Sequence, residues 1–379
     1  MALSARSPDL KHNLQVSNGI YGLIVSIGAV GSVVSLLFLG QLVHKIGILQ
    51  TLVISATGQY AVMAAIPHIH SAQIYAVSNI FLAMCFSAHM IALHTQVLRR
   101  QDESGEILLP RMHGSWSLGV LVTVIAALLI TSRISFAWHL DFLMAFTWIA
   151  TMALLRSMKS NFPERSKDGA AFERITLESL KSIFTFDKSI VVAFAMGLLI
   201  EFSSGDWSTL VTNQEIGAGK SASVLAYLAL IVGMILGRMY IVKLIRYRSE
   251  RFWIRFAAIG GGGGFIFFSQ LAWFLAGKGS SYALTCEVIA FFFAGLGTSF
   301  MAPIFTTIAN RRSSLKPSEV VSKLNLANTI IAFGAKSIIS WLAQTTSITI
   351  ALLVPGILLM LVAKFAYLGS PNRVGQKGN

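Results

Sequence analysis

The sequence predicts an all-α polytopic membrane protein, on three observations. Eleven apolar stretches, each long enough to cross a bilayer, run through its 379 residues. The composition is 55% hydrophobic and only 12% charged, with a mean hydropathy of +0.69, far more apolar than a soluble domain. Finally, the lysines and arginines fall almost entirely into every second gap between the stretches.

A helix needs roughly 17–25 apolar residues to span the hydrocarbon core. The first such run, 18–42, follows a polar start (MALSARSPDLKHNLQVS) and leads into the turn GQLVHKIG (40–47). Runs at 49–67, 72–98, 112–132 and 137–156 follow, then the one long hydrophilic segment, 157–188. That segment holds Pro163 and Gly169, and from about 170 to 186 it spaces Phe172, Ile175, Leu177, Leu180 and Ile183 as a short amphipathic helix would. It is expected to tie two bundles together. Six more runs complete the chain, at 189–211, 221–243, 252–276, 281–308, 319–342 and 346–367. The expected organisation is thus an N-terminal bundle over 1–156, a central loop over 157–188 and a C-terminal bundle over 189–379. No other loop has room for a soluble domain, so the chemistry must lie within the membrane.

Charge orients the spans. Of the 30 Lys and Arg residues, 24 sit on one side, among them Lys45, Arg99, Arg100, Arg111, Arg311 and Arg312. Only Arg6, Lys11, Arg133, Lys220 and Lys278 sit on the other, and Lys336 lies inside a span. The positive-inside rule places the richer side, and the C-terminus, in the cytoplasm. Residues 1–17 then lie outside, although they lack the apolar core of a signal or anchor. They read as an outer loop whose preceding helix is absent, the alternative being a true eleven-span chain. The net charge of +14 would suggest nucleic acid in a soluble protein, but basic segments beside anionic lipid explain it. The expected partners are lipid, a small solute and protons, with the chain a monomer and no nucleic acid bound. Cys85 and Cys286 lie in separate spans with no CxxC motif, so neither disulfide nor metal site is expected. The run Gly260–Gly264 enters an apolar helix rather than joining strand to helix, and no Gly-x-x-x-x-Gly-Lys-[Ser/Thr] occurs. Neither nucleotide nor other cofactor is expected, and no enzyme activity is predicted.

The two halves also resemble each other. Thr95…Arg99-Arg100 matches Thr307…Arg311-Arg312, and Gly40…His44-Lys45 and Gly237-Arg238 are both expected where a helix gives way to a basic-side turn. Such matches at equivalent positions suggest two parallel six-span repeats, the first one span short. With GQLVHKIG (40–47), HGSWSLG (113–119) and LLIEFSSGDWS (198–208), the chain resembles the major facilitator superfamily from Pro8 to about Leu368, and within it a little-characterised bacterial inner-membrane branch. The resemblance implies two six-helix bundles, here without the family's first helix, that expose a central site alternately to either side. It also implies a gating role for Gly40, His44, Lys45, Gly47, Gly237 and Arg238. His44 stands where the family has an acid, so either pH regulation or a weakened latch follows.

Ionisable residues within spans usually face protein or a water-filled cavity. Glu201 lies near the midplane of its helix, and Ser204 and Ser208 continue the same stripe at i+3 and i+7. It reads either as a proton-binding carboxylate coupled to transport or as a structural acid bonded to a neighbouring helix. Asp206 lies on another face of that helix. Beside it, Trp207 would stack on a ring or sugar, or anchor at the interface. Lys336 is level with both Asp206 and Glu287, so either acid could pair with it. Asn325 and Asn328 lead up to Lys336 and either line the pathway or join helices. His89, His94 and Gln96 share a helix whose family counterpart lines the cavity, and either His could shuttle protons. The expected function is secondary active transport of a small polar organic solute, sugar-like or another metabolite, by proton symport. A drug-type proton antiporter and a transport-inactive scaffold or sensor are the alternatives.

Overall fold

The computed structural model describes residues 2–36, 45–106, 108–162, 187–315 and 317–371, and every regular element among them is helical. Two short helices, α1 (Ala2–Ala5) and α2 (Ser7–Leu14), open the chain. At Gln15 the backbone turns through a left-handed conformation, φ 49°, into α3 (Asn18–Ser26) and α4 (Gly28–Val34). Then come α5 (Ile48–Ala65), α6 (Ala72–Ser104), α7 (Leu109–Ile130) and α8 (Phe136–Ser157). Beyond residue 187 lie α9 (Lys188–Gln214), α10 (Lys220–Leu244), α11 (Glu250–Ala276), α12 (Tyr282–Ser299), α13 (Met301–Arg312), α14 (Pro317–Thr345) and α15 (Ile348–Leu361). Ten helices among the described residues are long and apolar enough to span a membrane, with α12 and α13 counted together; the pair α2 and α3–α4, bent by 110°, raises the number to eleven if taken as one span.

The starts of these helices follow from local chemistry. Ser17, Ser71, Ser135, Ser249 and Ser347 each accept a hydrogen bond from the amide three residues on, filling a donor that the first turn leaves open. Gly47, at φ +91°, opens α5 where a side chain would be strained. The outward faces carry Trp138, Phe142, Phe146, Phe267, Ile338 and Trp341, all exposed. Such a belt suits lipid contact.

Within the N-terminal bundle α6 packs on α4 and α5, and α5 on α8. In the C-terminal bundle α12 packs on α10 and α11, and α11 also on α15. The glycine run makes this possible: a Cβ on Gly261 would strike the backbone of Gly297, and one on Gly262 would come within 2.7 Å of the Gly356 carbonyl. Gly233 sits equally close to Phe292 on α12. The run is a packing surface inside a helix.

Two expectations need comment. Gly237 and Arg238 do not mark a helix end, because α10 continues through six further residues to Leu244; Arg238 is tolerated mid-helix because an acid on α9 faces it. Gly40, His44 and most of the central loop, 163–186, lie outside the described residues. The end bearing Arg99, Arg100, Arg311 and Arg312 is called the basic end below; Arg6, Lys11 and Lys220 mark the opposite end.

Candidate functional site

α9 starts at the basic end, where the Asp187 carboxylate accepts from the Ser189 amide at 3.0 Å. Glu201, thirteen residues on, lies about 20 Å along the helix at 1.5 Å per residue. Its side chain is partly exposed, and both carboxylate oxygens lie 3.4 Å from one guanidinium nitrogen, Nη2, of Arg238 on α10. This is a long contact to a single nitrogen. It lacks the two parallel bonds of a fork-to-fork pair. Ser204 and Ser208 do not share the exposure of Glu201: both are fully buried, and their hydroxyls, like those of Ser203 and Thr209, find no partner among the described residues. α9 is an inner helix, touched by α10, α12, α13, α14 and α15, so this stripe faces protein.

Further along α9, Asp206 pairs with Lys336 of α14 at 2.5 Å. Of the two partners that depth allowed, Lys336 therefore takes Asp206. Glu287 is 0% exposed, and among the described residues Ser269 of α11 is the polar side chain that faces it. Tyr21 of α3, Tyr75 of α6 and Tyr227 of α10, all buried, lie within electrostatic reach of Asp206. Asp206 thus stands where the two bundles meet. On α14, Asn325 is exposed, whereas Asn328 is buried, its Oδ1 without a partner among the described residues.

The histidines divide. His89 is half-buried and its Nδ1 lies 3.3 Å from the Ser55 hydroxyl of α5, a contact within one bundle. Gln96 is buried near the basic end, donating to the Asn161 carbonyl at 3.1 Å. His94 places Nδ1 2.7 Å from the Met90 carbonyl, and its ring lies 5.5 Å, centroid to centroid, from that of His113 on α7. His113 is exposed and within electrostatic reach of Arg238. The His94–His113 contact was not legible in the sequence, because the two residues are nineteen apart on different helices.

At the opposite end the bundles are bonded together. Lys220 pairs with Asp9 at 2.8 Å, the Ser132 and Ser221 hydroxyls are 2.8 Å apart, Gln344 accepts from the Gly19 amide at 3.2 Å, and Lys11 bridges Asn18 and Gln214. Trp207 is 1% exposed and meets Tyr21 edge-on, centroids 5.6 Å apart. It belongs to this seal and lies neither at the lipid surface nor open to a cavity. α7 records the same asymmetry: Val120, Val124, Ala127 and Thr131 form a buried face toward the opposite end, while His113, Gly114, Ser115 and Trp116 near the basic end are exposed.

The profile of the Major Facilitator Superfamily matches residues 1–335. Among solved structures, the nucleoside transporter NupG superposes with a TM-score of 0.72 at 12% identity, over 96% of this chain and 93% of that one. A mutant of the same transporter gives 0.72 at 13%, over 96% and 94%. A D-xylose-proton symporter gives 0.68 at 14%, over 97% and 92%. No curated protein matches the chain.

Proposed function

Because the chain belongs to the major facilitator superfamily, we propose that it is a secondary active transporter, not an enzyme, carrying a small polar organic solute by alternating access of its two bundles. Protons drive it through Glu201. Its membrane is read as the cytoplasmic membrane of a bacterium, and the 24-to-5 division of Lys and Arg supports placing the basic end inside. One observation carries this reading: among the described residues the polar bonds between bundles gather at the opposite end, while the Glu201–Arg238 and Asp206–Lys336 pairs remain partly exposed and the contact nearer the basic end, of Val33 and Leu36 with Leu326 and Ala327, is apolar. A site closed toward one face and accessible from the other is what alternating access needs. Arg238 beside Glu201 opposes a cationic cargo, which disfavours drug-type antiport.

The test is counterflow in proteoliposomes under an imposed pH gradient, with labelled uridine and xylose as first probes because a nucleoside transporter and a xylose-proton symporter share the fold. Gradient-driven accumulation is expected in the parent protein. Glu201→Gln is expected to keep exchange and lose the response to the gradient. Flux indifferent to the gradient in both proteins would overturn coupling, and no flux with no saturable binding would favour a scaffold.

A further inference from the structure

We propose that an anionic phospholipid binds on the outer surface of the C-terminal bundle near its basic end, with an acyl chain in the apolar groove between α11 and α12 and its phosphate at Arg248. Such a lipid site is independent of what the protein carries.

The groove follows from residue spacing. Trp253, Phe256 and Gly260 of α11 recur at i, i+3 and i+7, and Phe293, Leu296 and Phe300 of α12 and its end repeat that spacing, so each set lies on one helix face. Together the two faces line an apolar groove of about 450 Å3 that closes beside Leu244 of α10. From Trp253 to Gly260 it runs about 10 Å along the helix, at 1.5 Å per residue. Its inner wall is the buried Trp253–Phe300 stack, centroids 5.9 Å apart, and its lip is Phe256, 56% exposed. The one polar group on the lining side chains, the Trp253 indole N–H, is committed to the Leu244 carbonyl at 2.8 Å. A polar solute would find no partner there. Gly260 keeps the groove open. Gly261, Gly262 and Gly264 each lie against a neighbouring helix, whereas a Cβ on Gly260 meets nothing within 4 Å, so packing does not account for this glycine.

Depth and charge identify the occupant. α11 packs on α12 and α15 of its own bundle, and Phe252, Phe256 and Ile259 on its free side are exposed, so the groove opens toward lipid. Gly260 lies ten residues into α11, about 15 Å from the basic end, well inside a hydrocarbon core of about 30 Å. An acyl chain reaches that depth from a headgroup at the helix start. That start is charged: Lys243, Arg246, Arg248 and Arg255 are exposed, and none has a carboxylate partner among the described residues. Contacts join it to the groove. The Arg248 guanidinium carbon lies 5.7 Å from the centre of the Phe252 ring, Phe252 stacks on Phe256 at 5.9 Å, and Phe256 meets Trp253 edge-on at 5.7 Å. Packing on a ring face leaves the guanidinium's in-plane N–H donors open to a phosphate. Each basic residue near an anionic headgroup raises affinity roughly fivefold. A second copy of the chain docked symmetrically on this face would set the same basic cluster against itself.

The experiment titrates the full-length protein in detergent with dioleoyl phosphatidylglycerol, takes dioleoyl phosphatidylcholine as the zwitterionic reference, and counts bound lipid by native mass spectrometry. Phosphatidylglycerol should be retained with about fivefold or greater preference. Gly260→Leu, which fills the groove, should weaken that binding on the order of tenfold, the equivalent of about two methylenes denied contact, and Gly260→Ala should weaken it less. Arg248→Gln should lower the affinity for phosphatidylglycerol roughly fivefold and leave phosphatidylcholine unchanged. Lys278→Gln is the control: Lys278 stands over the Phe274 ring at 4.2 Å, at the other end of the same helix, and its loss should change neither. Size-exclusion profiles establish that each variant is folded. Equal binding of the two lipids, undiminished phosphatidylglycerol binding in folded Gly260→Leu, or a loss in Lys278→Gln as large as in Arg248→Gln would overturn the proposal. So would competition by equimolar glycerol 3-phosphate, which carries the phosphate without a chain, or a dimer of the parent protein that Gly260→Leu dissociates, which would make a second copy the occupant.

Discussion

Arg6 counts in the sequence only as one of five basic residues on the sparser side, yet it is 1% exposed. Its guanidinium donates to His139 Nδ1 at 3.0 Å, Asp9 at 3.1 Å, the Thr131 carbonyl at 3.0 Å and the Ile134 carbonyl at 2.7 Å. One side chain therefore ties α2 to the turn between α7 and α8. Arg6→Ala would leave His139 and two backbone carbonyls without this donor and Asp9 with Lys220 alone, at a cost of about 1–3 kcal/mol. Arg6→Lys should recover little, since a single ammonium cannot reproduce the fork. Thermal unfolding in detergent reads both variants; an unchanged midpoint in Arg6→Ala would remove Arg6 from any structural role. The same contrast between counting and geometry holds at Glu201. Its depth was legible from helix length, but its partner was not, because Arg238 approaches from a neighbouring antiparallel helix and looked like the end of a span.

At the scale of the element, five consecutive glycines in α11 give an internally controlled prediction. A Cβ on Gly260 meets nothing within 4 Å, whereas one on Gly261 would overlap the backbone of Gly297. Gly260→Ala should therefore be neutral or stabilising by up to about 1 kcal/mol, from helix propensity. Gly261→Ala should destabilise by about 1–3 kcal/mol or more as α11 and α12 are forced apart. Equal unfolding midpoints for the two would refute the packing account. The helices themselves were readable because length and apolarity suffice to mark a span, and the serine caps sharpen their starts. What could not be read is which face of a helix turns inward. Ser204 and Ser208 follow Glu201 along one stripe yet are buried against other helices, and Trp207 is enclosed by Tyr21. Those assignments depend on neighbours far away in the chain. Lys336 was an intermediate case, since matching depth narrowed its partner to two acids and packing chose Asp206.

For the molecule as a whole, the close fit at the opposite end should set the balance between its two orientations. Gly22 of α3 lies where the bundles touch: a Cβ there would stand 2.5 Å from the Ser340 Cβ and 2.7 Å from the Trp207 ring. Those neighbours belong to α14 and α9, in the other bundle, so the added methyl is opposed only while this end stays closed. Overpacking of this kind costs about 1–3 kcal/mol, which, applied to one state alone, shifts an equilibrium by roughly 5–150-fold. Gly22→Ala should accordingly raise the fraction open at that end, and Gly205→Ala, whose Cβ meets nothing within 4 Å, should leave it unchanged. The readout is labelling of Ser340→Cys by a membrane-impermeant maleimide, since Ser340 is 0% exposed while this end is closed; native Cys85 and Cys286 set the background. Faster labelling in Gly22→Ala alone is the expected result. Equal rates in both backgrounds would mean that this contact does not discriminate between the orientations, and the seal would then have to rest on its polar bonds, with Asp9→Asn in place of Gly22→Ala as the variant that speeds labelling.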